Sequence, residues 1–361
     1  MTELDTDYHP AGGNPDAGRA GPGLLHALHV DGRAPFRRIA EVLGVSDQTV
    51  ARRYHRLRAD DGVRVVGRTR ARMLGEVDWL TRVRCVPDAA GAIAEALARR
   101  PETSWVSLLS GGGEIICNTR SPARPDREEL LLGKLPRTPQ VLSVSAHYLL
   151  RTFVGGTSAW SGRTSALSAA QVARLRDGAA DGPWAGPAAA APVTSVPPAP
   201  VPAASVPAGR PAAVVLDGLD RGLLAALAVD GRTPLAELAS RTGGSEATVR
   251  RRLAAMTRSG LLHFDVDVQP RLLGFEVEAF CWLTVHPGRL TAVAQAVADH
   301  PEVGFAAATT GPTNLAAGLV CRDIEAFYDY LTDRLGGLEG VVTLESAPVV
   351  RSVKRAGLLI R

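Results

Sequence analysis

Residues 242–260 read TGGSEATVRRRLAAMTRSG, and the way this stretch divides its residues between two faces decides the fold. Ser245 stands where an N-cap hydroxyl accepts a hydrogen bond from an unpaired amide of the first helical turn. Val249, Leu253 and Met256 follow at i, i+4 and i+7 as one apolar stripe, and Gly260 supplies a stop. The other face carries Arg250 and Arg251, with Arg252 at its edge and Arg258 beyond. Upstream, Thr233-Pro234 opens a short helix, LAELASRT, that stops at Gly243-Gly244. Two short helices, a glycine-containing turn and a basic second helix predict a helix-turn-helix. An ordinary amphipathic helix with a solvated arginine face is the alternative for this segment taken alone.

The pattern occurs twice. GVSDQTVARRYHRLRADDG (44–62) places Ser46 at the cap, Val50, Tyr54 and Leu57 on the stripe, and Arg52, Arg53, Arg56 and Arg58 elsewhere. LLHALHVDGRAPF from Leu24 matches LLAALAVDGRTPL from Leu223, 199 positions later. Pro87 answers Pro287, Gly111 answers Gly311 and Val141 answers Val341, now 200 apart. A whole unit, helix-turn-helix plus the domain after it, is duplicated.

The chain of 361 residues has room for two to four domains, and 45% hydrophobic residues can build real cores. No apolar run approaches the ~18 residues of a membrane span. The acidic, Gly/Pro-rich start MTELDTDYHPAGGNPDAG resembles no export signal, so a cytoplasmic protein with a disordered tail is expected. The net charge of +4 is unevenly spread: +6 over residues 1–180 and −2 over 181–361. A polyanion would feel the first half more strongly at long range. Cys85, Cys117, Cys281 and Cys321 have no close spacing, which predicts reduced, buried thiols and no metal site.

The expected organisation is a tail (1–20), a helix-turn-helix domain (21–72), an αβ domain (76–155), a Pro/Ala-rich linker with a short helix (156–215), a second helix-turn-helix domain (216–270) and a second αβ domain (274–357). The linker's helical run, SAAQVARLRDG, starts at Ser168 with Gln171 at the capping-box position. In each αβ region strand-like and helix-like runs alternate as β-α-β-β-α-β, the ferredoxin-like order. In the first, WLTRVRCV, TSWVSLLS, EIICN and QVLSVSAHYLL read as strands, with PDREELLLGKL as the second helix. The fold class is therefore α+β, with two (winged) helix-turn-helix domains each followed by a ferredoxin-like domain. VRVVGRTRARMLG, with Arg64, Arg68, Arg70 and Arg72, is either a wing flanking a DNA backbone or a basic connector.

Arginines on such helices can neutralise phosphates and fork onto guanine O6 and N7. Ser46, Thr49, Arg52 and Arg53, with Ser245, Thr248, Arg250, Arg251 and Arg252, are the expected contacts to double-stranded DNA. An enzyme is the competing class, but the sequence presents no nucleophile–base pair or metal cluster. The Gly111-Gly112-Gly113 run lacks the spacing and lysine of a phosphate loop. Neither a catalytic residue nor a cofactor is expected.

The chain resembles the Lrp/AsnC (feast/famine) family of transcriptional regulators. The carrying residues are S-x-x-x-V-x-x-R, as Ser46/Val50/Arg53 and Ser245/Val249/Arg252, then LLGFEVEAFCWLTV, TTGPTNLAAGLV and GVVTLESAPVVRSVK. The resemblance implies one DNA-binding and one effector-binding, dimerising αβ domain per unit. This chain would hold a dimer's parts as an intramolecular pseudo-dimer, with higher homo-oligomers left open. It also implies an amino-acid effector near the turns after the second αβ strand, at Gly111 and Glu114 and at Gly311, Thr313 and Asn314, with Ser346 near the end. Where the family has Gly-x-x-Asp, the second turn has Asn314 and the first Glu114; Leu344-Glu345-Ser346 stands for its Thr-Glu-Thr.

Overall fold

A computed structural model of the chain describes residues 20–59, 62–122, 133, 135–155, 166–180 and 214–360. The expected N-terminal tail, nearly all of the helix read from PDREELLLGKL and the proline-rich part of the linker lie outside the described residues.

Each half starts with three helices: α1 (Ala20–Val30), α2 (Phe36–Leu43) and α3 (Asp47–Ala59) in the first. The second half has α6 (Gly218–Val229), α7 (Leu235–Thr242) and α8 (Glu246–Arg258). The turns that make the motif come from Gly44 and Gly243, both left-handed at φ 68 and 69, where a Cβ would be strained. The stripe residues close the core as spaced: Leu238, Val249 and Leu253 are fully buried beside Leu223 and Leu227. Truncating Leu253 to Ala would leave a cavity costing ~2–5 kcal/mol.

The extended segment after each third helix pairs with its counterpart. β1 (Val63–Thr69) and β6 (Leu262–Val268) form a two-stranded antiparallel ribbon, running from Val63↔Val268 to Thr69↔Leu262. The basic alternation is thus one strand of a ribbon shared by the halves. Val63 and Val65 join Val266 and Val268 in the first helical core. The strand passes so near the turn at Gly231 that an added Cβ would sit 3.0 Å from Val65 backbone.

The rest of the first half is β2 (Glu76–Cys85), α4 (Pro87–Ala98), β3 (Thr103–Leu109), β4 (Glu114–Pro122) and β5 (Val141–Val154). The second repeats it as β7 (Val277–Val285), α9 (Leu290–Asp299), β8 (Val303–Thr309), β9 (Leu315–Cys321), α10 (Ile324–Asp329) and β10 (Val341–Arg355). A π-helical turn, Tyr330–Leu335, continues α10, and a short β11 (Leu358–Leu359) folds back on β10. α4 covers the outer face of one sheet, while α9 and α10 cover that of the other. The inner faces lack helical cover and meet each other through Leu80, Leu109, Ile116, Trp282, Ala316 and Ala347.

The last strands are long enough to serve both sheets. β5 pairs with β2 from Val141 to Tyr148, then with β8 from Leu149 to Val154. β10 pairs with β7 from Val341 to Pro348, then with β3 from Val349 to Lys354. Between the halves, α5 (Ala169–Ala180) docks on the first helical core. Leu167 and Leu175 are buried there, and Gln171 Nε2 donates to the Val42 carbonyl at 2.8 Å. The capping box forms, with the Ser168 amide donating to Gln171 Oε1 at 2.9 Å.

Candidate nucleic-acid interface and effector region

The third helices are held at their starts by the residues expected there. The Thr49 amide donates to Ser46 Oγ and the Thr248 amide to Ser245 Oγ, both at 3.2 Å. All four hydroxyls therefore have a role within the helix caps. Arg52, Arg250 and Arg251 are exposed and pair with no acid among the described residues. Arg53 is half buried, and its Nη1 has no hydrogen-bond partner among the described residues. Arg252 is placed differently from expectation. Its Nη2 meets Asp217 at 2.7 Å and its Nη1 meets Asp220 at 3.4 Å, the two acids that cap α6. Its charge is already met inside the fold.

The ribbon arginines are likewise engaged. Arg64 lies 3.4 Å from Asp267 and Arg68 lies 3.7 Å from Asp265, with both carboxylates buried. The wing reading of this segment needed free cations there, and the opposite strand neutralises two of them. Arg58, at the end of α3, pairs across the halves with Asp230 at 2.8 Å.

Two arginines that sequence reasoning left without a role lock the helical domains together. Arg232 donates from Nη1 to the Gly32 carbonyl at 2.7 Å and from Nη2 to that of Ala34 at 2.9 Å. Arg33 donates to the Gly231 carbonyl, and to that of Thr233 at 2.9 Å. The Arg232 guanidinium also lies over Phe36, 4.5 Å from the ring centre. Burial pulls the Arg33 pKa down to about 10, which leaves it charged at neutral pH. Both sit in the repeated Asp-Gly-Arg, and that repetition was the available signal.

The β1–β6 ribbon rests on the sheets through charged groups. Arg355 reaches Asp267 at 3.3 Å and Glu278 at 3.6 Å, and donates to the Val268 carbonyl. Arg120 joins Asp78 at 2.8 Å and donates to Thr69 Oγ1 at 2.9 Å.

The expected effector turns each abut the other half. Gly311, at φ 106, lies against the His147 ring of β5, and the Thr310 amide donates to the Tyr148 carbonyl. The Gly111 turn packs beside β10. Asn314 is committed to the backbone: it accepts from the Val285 amide at 2.8 Å and donates to the Val285 carbonyl at 2.7 Å. The Thr313 carbonyl accepts from Thr309 Oγ1, and Ser346 is exposed on β10. Glu114, named among the expected effector residues, is buried and takes Arg82 Nε at 2.5 Å. Arg82 also forks onto Glu345 at 2.6 and 3.0 Å and lies 3.7 Å above the Trp282 ring. Burial opposes the Arg82 charge, yet the bonds to Glu345 and Glu114 outweigh it and raise its pKa. Burial, then Arg82, lowers that of His147. Arg82, His147 and Trp282 were missed because each belongs to a contact between halves.

The AsnC-type helix-turn-helix domain model matches residues 23–58 and again 216–257, and the Lrp/AsnC ligand binding domain model matches 278–359. A helix-turn-helix-type transcriptional regulator from Pyrococcus furiosus is 31% identical over 144 residues, which cover 97% of it and 40% of this chain. The chain belongs to the Lrp/AsnC family. Regulatory protein AsnC of Escherichia coli is 30% identical over 147 residues, covering 97% of that protein and 39% of this chain. One Lrp/AsnC relative thus corresponds to well under half of the length, as expected of a tandem chain. A solved structure of the siroheme decarboxylase NirDL, in complex with an iron-uroporphyrin III analogue, covers 92% of this chain with a TM-score of 0.54. At 15% identity, what it shares with this chain is the fold. No described helix is long and apolar enough to cross a membrane.

Proposed function

We propose that this chain binds specific duplex DNA through α3 and α8, presented together by one polypeptide, and regulates transcription from there in the cytoplasm. The observation that carries this reading is the reciprocal Arg33/Arg232 lock with the β1–β6 ribbon. It makes the two basic helices parts of one reading head, as paired half-sites require. Arg52, Arg53, Arg250 and Arg251 are the arginines left for phosphates and base edges, with Ser46, Thr49, Ser245 and Thr248 at the helix starts. Arg52→Ala with Arg53→Ala, and Arg250→Ala with Arg251→Ala, are each expected to weaken site-specific binding in a gel shift with unchanged circular dichroism. Unaltered affinity in both double variants would refute the reading.

The ligand binding domain match supports an effector of amino-acid or related small-metabolite class. We place it between the halves, at the Gly311–Thr313 turn beside His147. Recognition of an ammonium there cannot rest on Glu114 or Asn314, whose polar groups are used internally. One class of site per chain follows, and calorimetric titration with the twenty amino acids tests it. Two identical tight sites would contradict this placement.

A further inference from the structure

We infer that this chain reads a non-palindromic DNA site, built of two half-sites of different base composition, each assigned to one named helix. The inference rests on the proposed DNA-binding function and adds the class of sequence recognised.

A symmetric dimer presents the same helix twice, so its sites mirror its two-fold axis. Here the ribbon and the arginine lock join α3 to α8 within the chain, so the head presents one of each. At positions 199 apart the two outer faces differ in chemistry, not only in detail. Gln48 on α3 stands where α8 has Ala247, and Ala51 where α8 has Arg250. His55 and Arg56 stand where α8 has Ala254 and Ala255. Gln48, His55, Arg56 and Arg250 are all exposed.

A fifth pair, Arg53 and Arg252, differs by restraint. Arg252 is held by Asp217 and Asp220, whereas the positions matching those acids in the first half are Gly18 and Gly21. Arg53, the counterpart of Arg252, makes no such pair among the described residues. Among the described residues, one arginine of the repeated S-x-x-x-V-x-x-R is therefore tied to the scaffold and the other is not.

The chemistry names the two halves. A glutamine amide forks onto adenine N6 and N7, whereas an arginine forks onto guanine O6 and N7. The half-site under α3 is read by Gln48 with Arg52 and carries an adenine at the glutamine position. The half-site under α8 is read by Arg250 and Arg251 and is the richer in guanine.

The test is selection from a randomised duplex pool with the full chain, followed by titration of the selected site. Two derivatives, each repeating one half-site as a palindrome, are titrated alongside. A non-palindromic sequence is expected, binding at least ~10-fold more tightly than either palindrome. Gln48→Ala is expected to relax base preference in one half only, and Arg250→Ala in the other half only. Both side chains are exposed, so neither change disturbs the core. A selected palindrome, a palindromic derivative binding as well as the selected site, or variants that relax both halves alike would each overturn the inference while leaving DNA binding intact. A pool with no enriched sequence would overturn the proposed function itself, and this inference with it.

Discussion

Arg33 and Arg232 are the same arginine met twice, 199 residues apart, and each bonds to the turn that carries the other. Arg33 holds the carbonyls of Gly231 and Thr233; Arg232 holds those of Gly32 and Ala34. Neither bond set exists within one half alone. The two helical domains therefore have an interface made by the turns that launch their second helices.

Removing both guanidiniums strips four buried or half-buried carbonyls of their donors. Each loss is expected to destabilise by ~1–3 kcal/mol, as an unsatisfied buried acceptor does. Urea unfolding of Arg33→Ala, Arg232→Ala and the double variant checks this. The double variant should also lose DNA affinity beyond what its remaining folded fraction explains, because the helices lose their fixed separation.

Arg250 and Arg252 lie two residues apart on α8 and are expected to behave differently in salt. Each phosphate contact removed lowers the slope of log affinity against log salt by ~1. Arg250→Ala is expected to lower the slope, while Arg252→Ala leaves it unchanged and lowers thermal stability through the lost bonds to Asp217 and Asp220. A slope change in the Arg252 variant would show that its acids release it on DNA.

Asp267 is 5% exposed and stands between Arg64 and Arg355, the first from the ribbon and the second from the sheet. Breaking a buried ion pair from one side leaves an uncompensated charge, and Asp267→Ala is expected to cost on the order of 3 kcal/mol. Chemical denaturation measures it. Arg64→Ala should likewise reduce stability while leaving the salt slope of DNA binding near that of the wild type.

Glu345 gives a pH dependence of known sign. The hydrogen bonds from Arg82, against the opposing effect of burial, hold its pKa below the ordinary 4.5. A carboxylate whose folded pKa is depressed stabilises fully above the unfolded value and loses that contribution as pH falls through the folded one. The stability difference between wild type and Glu345→Gln should hold steady at neutral pH and shrink below 4.5. Its size should stay under about 1 kcal/mol, since half of the Glu345 side chain is exposed to screening solvent.

The four thiols should be silent in the native state. Cys85, Cys117, Cys281 and Cys321 are buried, and burial pushes the last three up to about 12. A disulfide-exchange reagent at neutral pH is expected to label none of them until denaturant is added, and then all four.

The parts of the fold written in local spacing were legible. Ser245 with Val249, Leu253 and Met256 identifies a helix because its partners lie within a few turns, and the 200-residue echo identifies the duplication. What escaped was written in pairings between segments far apart in the chain. Arg64 and Arg68 read as cations facing a polyanion because Asp267 and Asp265, which neutralise them, follow 203 and 197 residues later. Glu114 read as an effector residue because its partner Arg82 belongs to another strand. The helix after Ser168 read as part of a linker because its apolar positions, Leu167 and Leu175, are few and their cover is α1 and α2. In each case periodicity finds the element, and only the three-dimensional pairing finds its partner.

β5 and β10 each begin in one sheet and finish in the other. Between separate molecules such an exchange obeys mass action and comes apart on dilution. Here the partner strand is tethered, and the effective concentration of one half for the other is set by the chain between them. The fraction of complete heads therefore does not depend on how much protein a cell makes. The amount of paired halves should rise linearly with protein concentration, where a dissociating dimer's would rise quadratically at low concentration.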